Sequence, residues 1–276
     1  MKINLFNDNT QRVLKFNNDH LKQFYEKCQK DKLIGIDTEF YRVDSYFPKL
    51  CLIQLSNSTE SILLDPITEK INFVLLKKLL FNTKIKKIFH AARQDIEIFY
   101  NIYGKIPRPI IDTQICLLAL GYSHSISYAK ACKDFLNIEL DKNNQFVDWR
   151  KRPLDKKKLL YAVNDVKFLI PLFKIINKKL KNQDYQKLDY HYKKIIDIKI
   201  YSEKPERAWE KLKFSPSNNL ELNSLKRYCK IREKMAMKKN VPVKQIISDS
   251  EIKIISRLNE FNPKKQQILK KLNIKN

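Results

Sequence analysis

Apolar β-forming residues alternate with breaks in the first third of the chain. The pattern is clearest at Leu33-Ile34-Gly35-Ile36, leading into Asp37, and at Leu50-Cys51-Leu52-Ile53-Gln54-Leu55; both stretches predict strands. Ser61-Ile62-Leu63-Leu64 predicts a third. After Asp65-Pro66 the apolar spacing turns helical from Phe73 to Phe81, then returns to strand from Ile85 to Phe89. Ile96, Phe99, Tyr100 and Tyr103 share one helix face, and Gly104 stands where a C-terminal cap belongs. Asp112 is placed to cap a helix from Gln114 to Leu120. The strongest helical stretch runs from Asp155, a candidate N-cap, to about Leu180, with Pro171 expected to kink or split it because proline removes a backbone hydrogen bond. Strands first and helices interleaved later imply a mixed α/β sheet domain.

The apolar period lapses around Ser202-Glu203-Lys204-Pro205 and again around Phe214 to Asn219. A domain boundary is expected there, giving residues 1–205 and 206–276. From Leu220 onward the chain reads as short basic helices broken at Asn240-Val241-Pro242 and near Asn262-Pro263. Charge follows the same division. The net charge of +25 is spread as +5 over residues 1–150 and +20 over residues 151–276. Such asymmetry suggests a polyanionic partner, although 45 of the 55 basic residues are lysine and part of the excess reflects a Lys-rich, Asn-rich composition. With 43% apolar and 11% aromatic residues the chain is too hydrophobic to be disordered. Its apolar runs are too short for a membrane span. The N-terminal MKINLFNDNT has no signal-like apolar core, and five scattered cysteines without a C-x-x-C pair read as reduced structural thiols, so a cytoplasmic location is expected.

Four places combine carboxylates with a framework that would aim them. Asp37 and Glu39 are i and i+2 on a strand, so they project from one face, where two repelling carboxylates suit a hard divalent cation; an acidic strand-end turn is the plainer alternative. Asp95 follows His90 at a strand-to-helix junction, where a first-turn acid also complements the helix dipole. His90 itself reads more readily as a packed histidine than as a metal ligand. Tyr161 and Asp165 lie i, i+4 on one helix face, so the phenol can orient a water beside a carboxylate. Asp112 is the fourth, expected to be structural.

Taken together, a strand-borne D-x-E, a later Asp after a His, and Y-x-x-x-D on a late helix resemble the three exonuclease motifs of the DEDD superfamily, the tyrosine placing the chain in its DEDDy branch. Ile36 to Phe40, Tyr46 to Leu50, Phe89-His90-Ala91, Ile111 to Gln114, and Asp148-Trp149-Arg150 with Arg152-Pro153-Leu154 look like bacterial ribonuclease D, from about residue 31 to 175. Pro205-Glu206-Arg207-Ala208-Trp209 resembles that family's domain junction. The resemblance implies a ribonuclease-H-like α/β fold, a mixed sheet with helices on both faces, followed by a small all-helical HRDC-like domain. It also implies a metal-dependent 3′→5′ exoribonuclease that trims RNA 3′ ends, chiefly tRNA precursors, and releases nucleoside 5′-monophosphates.

By that likeness Asp37, Glu39, Asp95 and Asp165 hold two divalent cations, Mg²⁺ or Mn²⁺, and Tyr161 positions the attacking water. Phe40, Tyr41 and His90 are candidate nucleic-acid contacts. The expected partner is RNA, with no membrane and a monomeric state. The tail departs from the family pattern. Leu225 to Pro242 resembles one HRDC copy, yet Ile231 stands where Trp is usual, and the length leaves room for a single shortened copy. The alternatives are a 3′→5′ DNA exonuclease with the same chemistry, or a non-catalytic RNA-binding protein, against which the full set of four acids and the tyrosine argues.

Overall fold

The computed structural model describes residues 4–8, 11–15, 18–141, 147–202 and 204–274. They divide into two compact units, one comprising the chain up to Tyr41 together with Leu50–Tyr201, the other Arg42–Lys49 together with the chain from Ser202. The sequence-based boundary at 205/206 lies a few residues beyond the third crossing, at 201/202; the excursion over 42–49 leaves no mark in the apolar pattern.

The first unit is built on a seven-stranded sheet. In chain order its strands are β1 (Asn4–Asp8), β2 (Gln11–Lys15), β3 (Leu33–Tyr41), β4 (Lys49–Ser56), β5 (Glu60–Leu64), β6 (Lys86–Phe89) and β7 (Ile110–Asp112). Their order across the sheet is β1-β2-β5-β4-β3-β6-β7. The β1/β2 and β4/β5 pairs are antiparallel, whereas β2/β5, β3/β6 and β6/β7 are parallel. The helices are α1 (Asn18–Asp31), α2 (Phe73–Leu80), α3 (Arg93–Tyr103), α4 (Thr113–Ala119), α5 (Tyr128–Leu136), α6 (Lys156–Lys167), α7 (Leu169–Lys179) and α8 (Asn182–Ile195).

Alternation along β3 decides which helix meets which side chain. Ile34 and Ile36 enter a core with Leu21 and Phe24 of α1, Leu76 and Leu79 of α2, and Ile96 and Phe99 of α3. The intervening residues face α6 and α7, whose Val166, Leu169 and Ile170 pack with Ile88 and Leu33. Gly35 is essential to that approach. A Cβ there would run into Ser56 Oγ and lie 3.2 Å from both Leu169 Cβ and the Val166 carbonyl oxygen. The absent side chain lets the end of α6 rest on β3, two residues before Asp37.

The caps fall where the chain pattern puts them. Gly104 ends α3 in the left-handed region at φ 66°, Asp112 accepts from Gln114 N and Ile115 N, and Asp155 accepts from Lys158 N. The long helix expected from Asp155 onward divides at Phe168, three residues before Pro171. A proline nitrogen carries no hydrogen for the carbonyl four residues earlier, here Lys167, so the ladder breaks one turn upstream of the ring.

The second unit contains a 3₁₀ turn at Pro205–Lys211 and helices α9 (Asn219–Lys239), α10 (Val243–Ile246), α11 (Asp249–Arg257) and α12 (Pro263–Lys271). Leu225, Tyr228 and Cys229 of α9 form its core with Ile252, Ile255, Ile268 and Leu269. The breaks at Asn240, left-handed at φ 49°, and at Asn262-Pro263 are those the sequence marks. Segment 42–49 is bonded into this unit: the Tyr46 hydroxyl donates to Glu233 Oε1 at 2.7 Å, and Phe47 N donates to Asn240 Oδ1 at 3.0 Å. All five cysteines are buried, and no two of them are joined. No helix among the described residues is long and apolar enough to cross a membrane.

Candidate active site

Asp37 and Glu39 point from β3 toward α6, as the two-residue period requires, and meet Asp165 there. Each of the three offers a carboxylate oxygen within 4.8 Å of the others. Burial first, and then the negative charge of Asp165, raises Asp37 well above the usual carboxylate range. Burial, followed by Asp37, Asp165 and Asp95, pushes Glu39 up to about 10. Asp165 is raised by burial to about 7, with a hydrogen bond from the Tyr161 hydroxyl acting against the rise. Such a set is uncomfortable unless cations share it, and its all-oxygen donors fit a hard divalent ion.

Asp95 reaches the site from the opposite side of β3. Thr38, the middle residue of Asp37-Thr38-Glu39, faces α3 and donates its hydroxyl to Asp95 Oδ1 at 2.6 Å, both groups being buried. Burial and the Asp37 charge raise Asp95, and the Thr38 bond opposes them. The corner delivering α3 is held by Asp112, whose two oxygens accept from Ala91 N at 3.0 Å and Ala92 N at 2.8 Å. Ala91 occupies the left-handed region at φ 61°, a strained position for a residue with a Cβ, and Asp112 secures it while also capping α4. Asp112 is thus a structural acid, as its position suggested.

Tyr161 sits one turn before Asp165 on α6 and hydrogen-bonds it; burial, then the charges of Asp165, Glu39 and Asp37, raise the phenol. It is a neutral donor at physiological pH. The Trp149 ring lies 6.0 Å from the Tyr161 ring. Arg150 lies 3.4 Å above the ring of Tyr41, so one face of that tyrosine is occupied by a guanidinium rather than open to a base. Phe40 is half-buried at the end of β3. The structure does not present His90 as a nucleic-acid contact. Nδ1 lies 2.9 Å from Thr113 Oγ1 and Nε2 lies 2.9 Å from the Ile126 carbonyl oxygen, and burial lowers the imidazole below its ordinary range. Both ring nitrogens are used in tying β6 to α4 and the turn before α5.

Thr38, Gly35 and Arg152 lie within the motifs that the sequence shows but were given no role by it. The signal for Thr38 was available, since a residue between two same-face strand acids must point to the other face. Arg152 pairs with Asp65 at 2.6 Å and donates to the carbonyls of Cys51 and Trp149, which fastens the 149–152 turn beneath Tyr161. Nothing local in the sequence joins residues 65 and 152.

The sheet is ribonuclease-H-like, with three acids gathered on one face of β3 and Asp95 held to Thr38 on the other. The chain belongs to the 3′-5′ exonuclease family, whose profile matches residues 15–181. Among individual proteins it is similar to ribonuclease D of Sphingobium indicum, 37% identical over 234 residues covering 84% of this chain and 60% of that protein. It is likewise similar to ribonuclease D of Bartonella henselae, 38% identical over 242 residues covering 86% and 60%. The chain therefore spans about three fifths of the length of these relatives. In fold it matches the crystal structure of Escherichia coli RNase D with a TM-score of 0.79, at 24% identity, covering 94% of this chain and 74% of the other.

Proposed function

We propose that this chain is a metal-dependent 3′→5′ exoribonuclease that trims RNA 3′ ends, tRNA precursors among them, and releases nucleoside 5′-monophosphates. The observation that carries the reading is the convergence of Asp37, Glu39 and Asp165 within 4.8 Å of one another. With Asp95 behind Thr38, these acids would hold the divalent cations, Mg²⁺ or Mn²⁺ being suited to all-oxygen ligation. Bound there, such ions supply a water acidic enough to act at neutral pH and relieve charge on the departing 3′ oxygen. The protein's own part is positional. Tyr161, a neutral donor tied to Asp165, holds a water by its hydroxyl and aims it along the line of attack. Thr38 fixes Asp95, and Gly35 lets α6 carry Asp165 to β3. Phe40, half-buried beside Glu39, is the candidate for contact with the terminal base. The second unit, read as a single shortened HRDC-like module, is rich in lysine, so RNA affinity falls with rising salt.

The test is hydrolysis of a 3′-extended tRNA with and without Mg²⁺, beside a DNA of matched sequence. Mononucleotide release that requires the cation, disappears in Asp37→Asn and Asp165→Asn, and favours RNA is expected. Full activity in both variants would refute the site, and equal rates on DNA would refute the RNA assignment. Tyr161→Phe is expected to lower kcat while cation affinity stays near that of the parent; loss of cation affinity would contradict the water-holding role.

A further inference from the structure

The edge of the sheet that carries the acids also carries a separate cavity of about 560 Å³. It opens beside the C-terminal ends of β6 and β7, one and two strand spacings from β3, on the order of 5–10 Å across the sheet. Ile115 and Leu118 of α4 give it an apolar wall. Arg93 at the start of α3, His124 from the turn after α4, and His191 and Lys194 of α8 converge on it from three separate elements. His191 and Lys194 are i, i+3 and share one helix face. The Lys194 ammonium is steadied 4.2 Å above the Tyr190 ring. Burial, then the charges of Lys194 and His124, holds His191 below the usual imidazole range.

Two acids also line the cavity, and both are already engaged. Asp112 accepts from the backbone nitrogens of Ala91, Ala92, Gln114 and Ile115, and Asp197 accepts from Lys199 N. Among the described residues, neither forms an ion pair with Arg93, His124, His191 or Lys194. The recess thus pairs an apolar wall with two formal cations, Arg93 and Lys194, two imidazoles, and two carboxylates already bonded to backbone nitrogens; one of the cations is a guanidinium fork suited to phosphate. Its volume lies within the range of small-molecule sites.

We propose that this cavity is a second nucleotide-binding site, taking a 5′-phosphorylated nucleoside with its base against Ile115 and Leu118 and its phosphate among Arg93, His191 and Lys194. The occupant is either a nucleotide of the bound strand or a free monophosphate; the chemistry is the same.

Calorimetric titration of the full chain with adenosine 5′-monophosphate in EDTA tests it. Lys194→Glu and His191→Ala are each expected to weaken binding about tenfold, and Asp37→Asn to keep it within about twofold of the parent. Working without divalent cation, and on Asp37→Asn as well, separates this result from whether the acid cluster hydrolyses RNA. Two kinetic arms then distinguish the sources. A strand nucleotide raises KM for a twelve-nucleotide RNA in Lys194→Glu; a free monophosphate makes added adenosine 5′-monophosphate alter kcat in the parent but not in that variant. Binding by both cavity variants within twofold of the parent would overturn the proposal, as would binding lost in Asp37→Asn.

Discussion

Both units pair buried acids, Asp65 with Arg152 in the sheet unit among them, but the sheet unit also holds one cluster of acids without a cationic partner among the described residues. In the helical unit the buried Glu233 accepts from the Tyr46 hydroxyl and, at 2.9 Å, from Lys211 Nζ, the buried Glu221 pairs with Arg257, and the half-exposed Asp249 pairs with buried Arg232 at 2.8 Å. In the sheet unit, Asp37, Glu39 and Asp165 face one another, and the charges that most affect them are negative. Paired buried charge is how a small helical unit holds its register. Unpaired buried charge of one sign raises the energy of the folded chain and persists where a ligand relieves it.

The sharpest way to break this contrast is to remove one acid from each unit. Asp165→Asn is expected to lower hydrolysis by about 10³-fold, since the lost cation site is worth several kcal/mol at the transition state, while raising the melting temperature of the metal-free protein. A fall in that melting temperature would show that the cluster is internally compensated. Next in size, Thr38→Val keeps the shape but removes the donor to Asp95. A decrease in kcat of about 10–100-fold with little change in KM is expected, with Thr38→Ser restoring most of it. In the helical unit Asp249→Ala strands Arg232 and is expected to cost about 2 kcal/mol in a denaturant titration, with no gain at any cation concentration.

The smallest effect is the pH dependence of stability without metal. Asp165, raised to about 7, retains in the folded state a proton that the unfolded chain releases near pH 4, so stability falls as pH rises between those values. Asp65 has the opposite sign. Burial alone would raise it, but hydrogen bonds from Arg152 and Thr68 more than reverse that, so its contribution is present above the ordinary carboxylate range and lost on acidification. Melting temperatures in EDTA should therefore peak in mildly acidic solution and shift by a few degrees on either side. Added Mg²⁺ should remove the neutral-pH decline and leave the acid one.

What the sequence made legible is what is local. The D-T-E strand, the Asp112 and Asp155 caps, the Gly104 terminus and the Tyr161–Asp165 spacing all follow from short-range periodicity, and the resemblance joined them into one site. Strands β1 and β2 and helices α1, α5 and α8 were not anticipated, because their apolar residues are too sparse to set a clear period. The Asp65–Arg152 pair and the Tyr46–Glu233 bond span 87 and 187 residues, and no window of sequence contains both ends. The break at Phe168 was misjudged by one turn, since proline acts on the carbonyl behind it.

The strand bearing the acids continues directly into residues 42–49, which belong to the helical unit, before the chain returns at Leu50. The peptide backbone therefore passes between the units three times. Severing it near residue 201 would not free an intact tail module: the detached piece would leave behind the tyrosine that satisfies Glu233. The helical portion is in this sense an insertion and an appendage at once, and exchanging it between relatives would require transplanting the short hairpin excursion along with it.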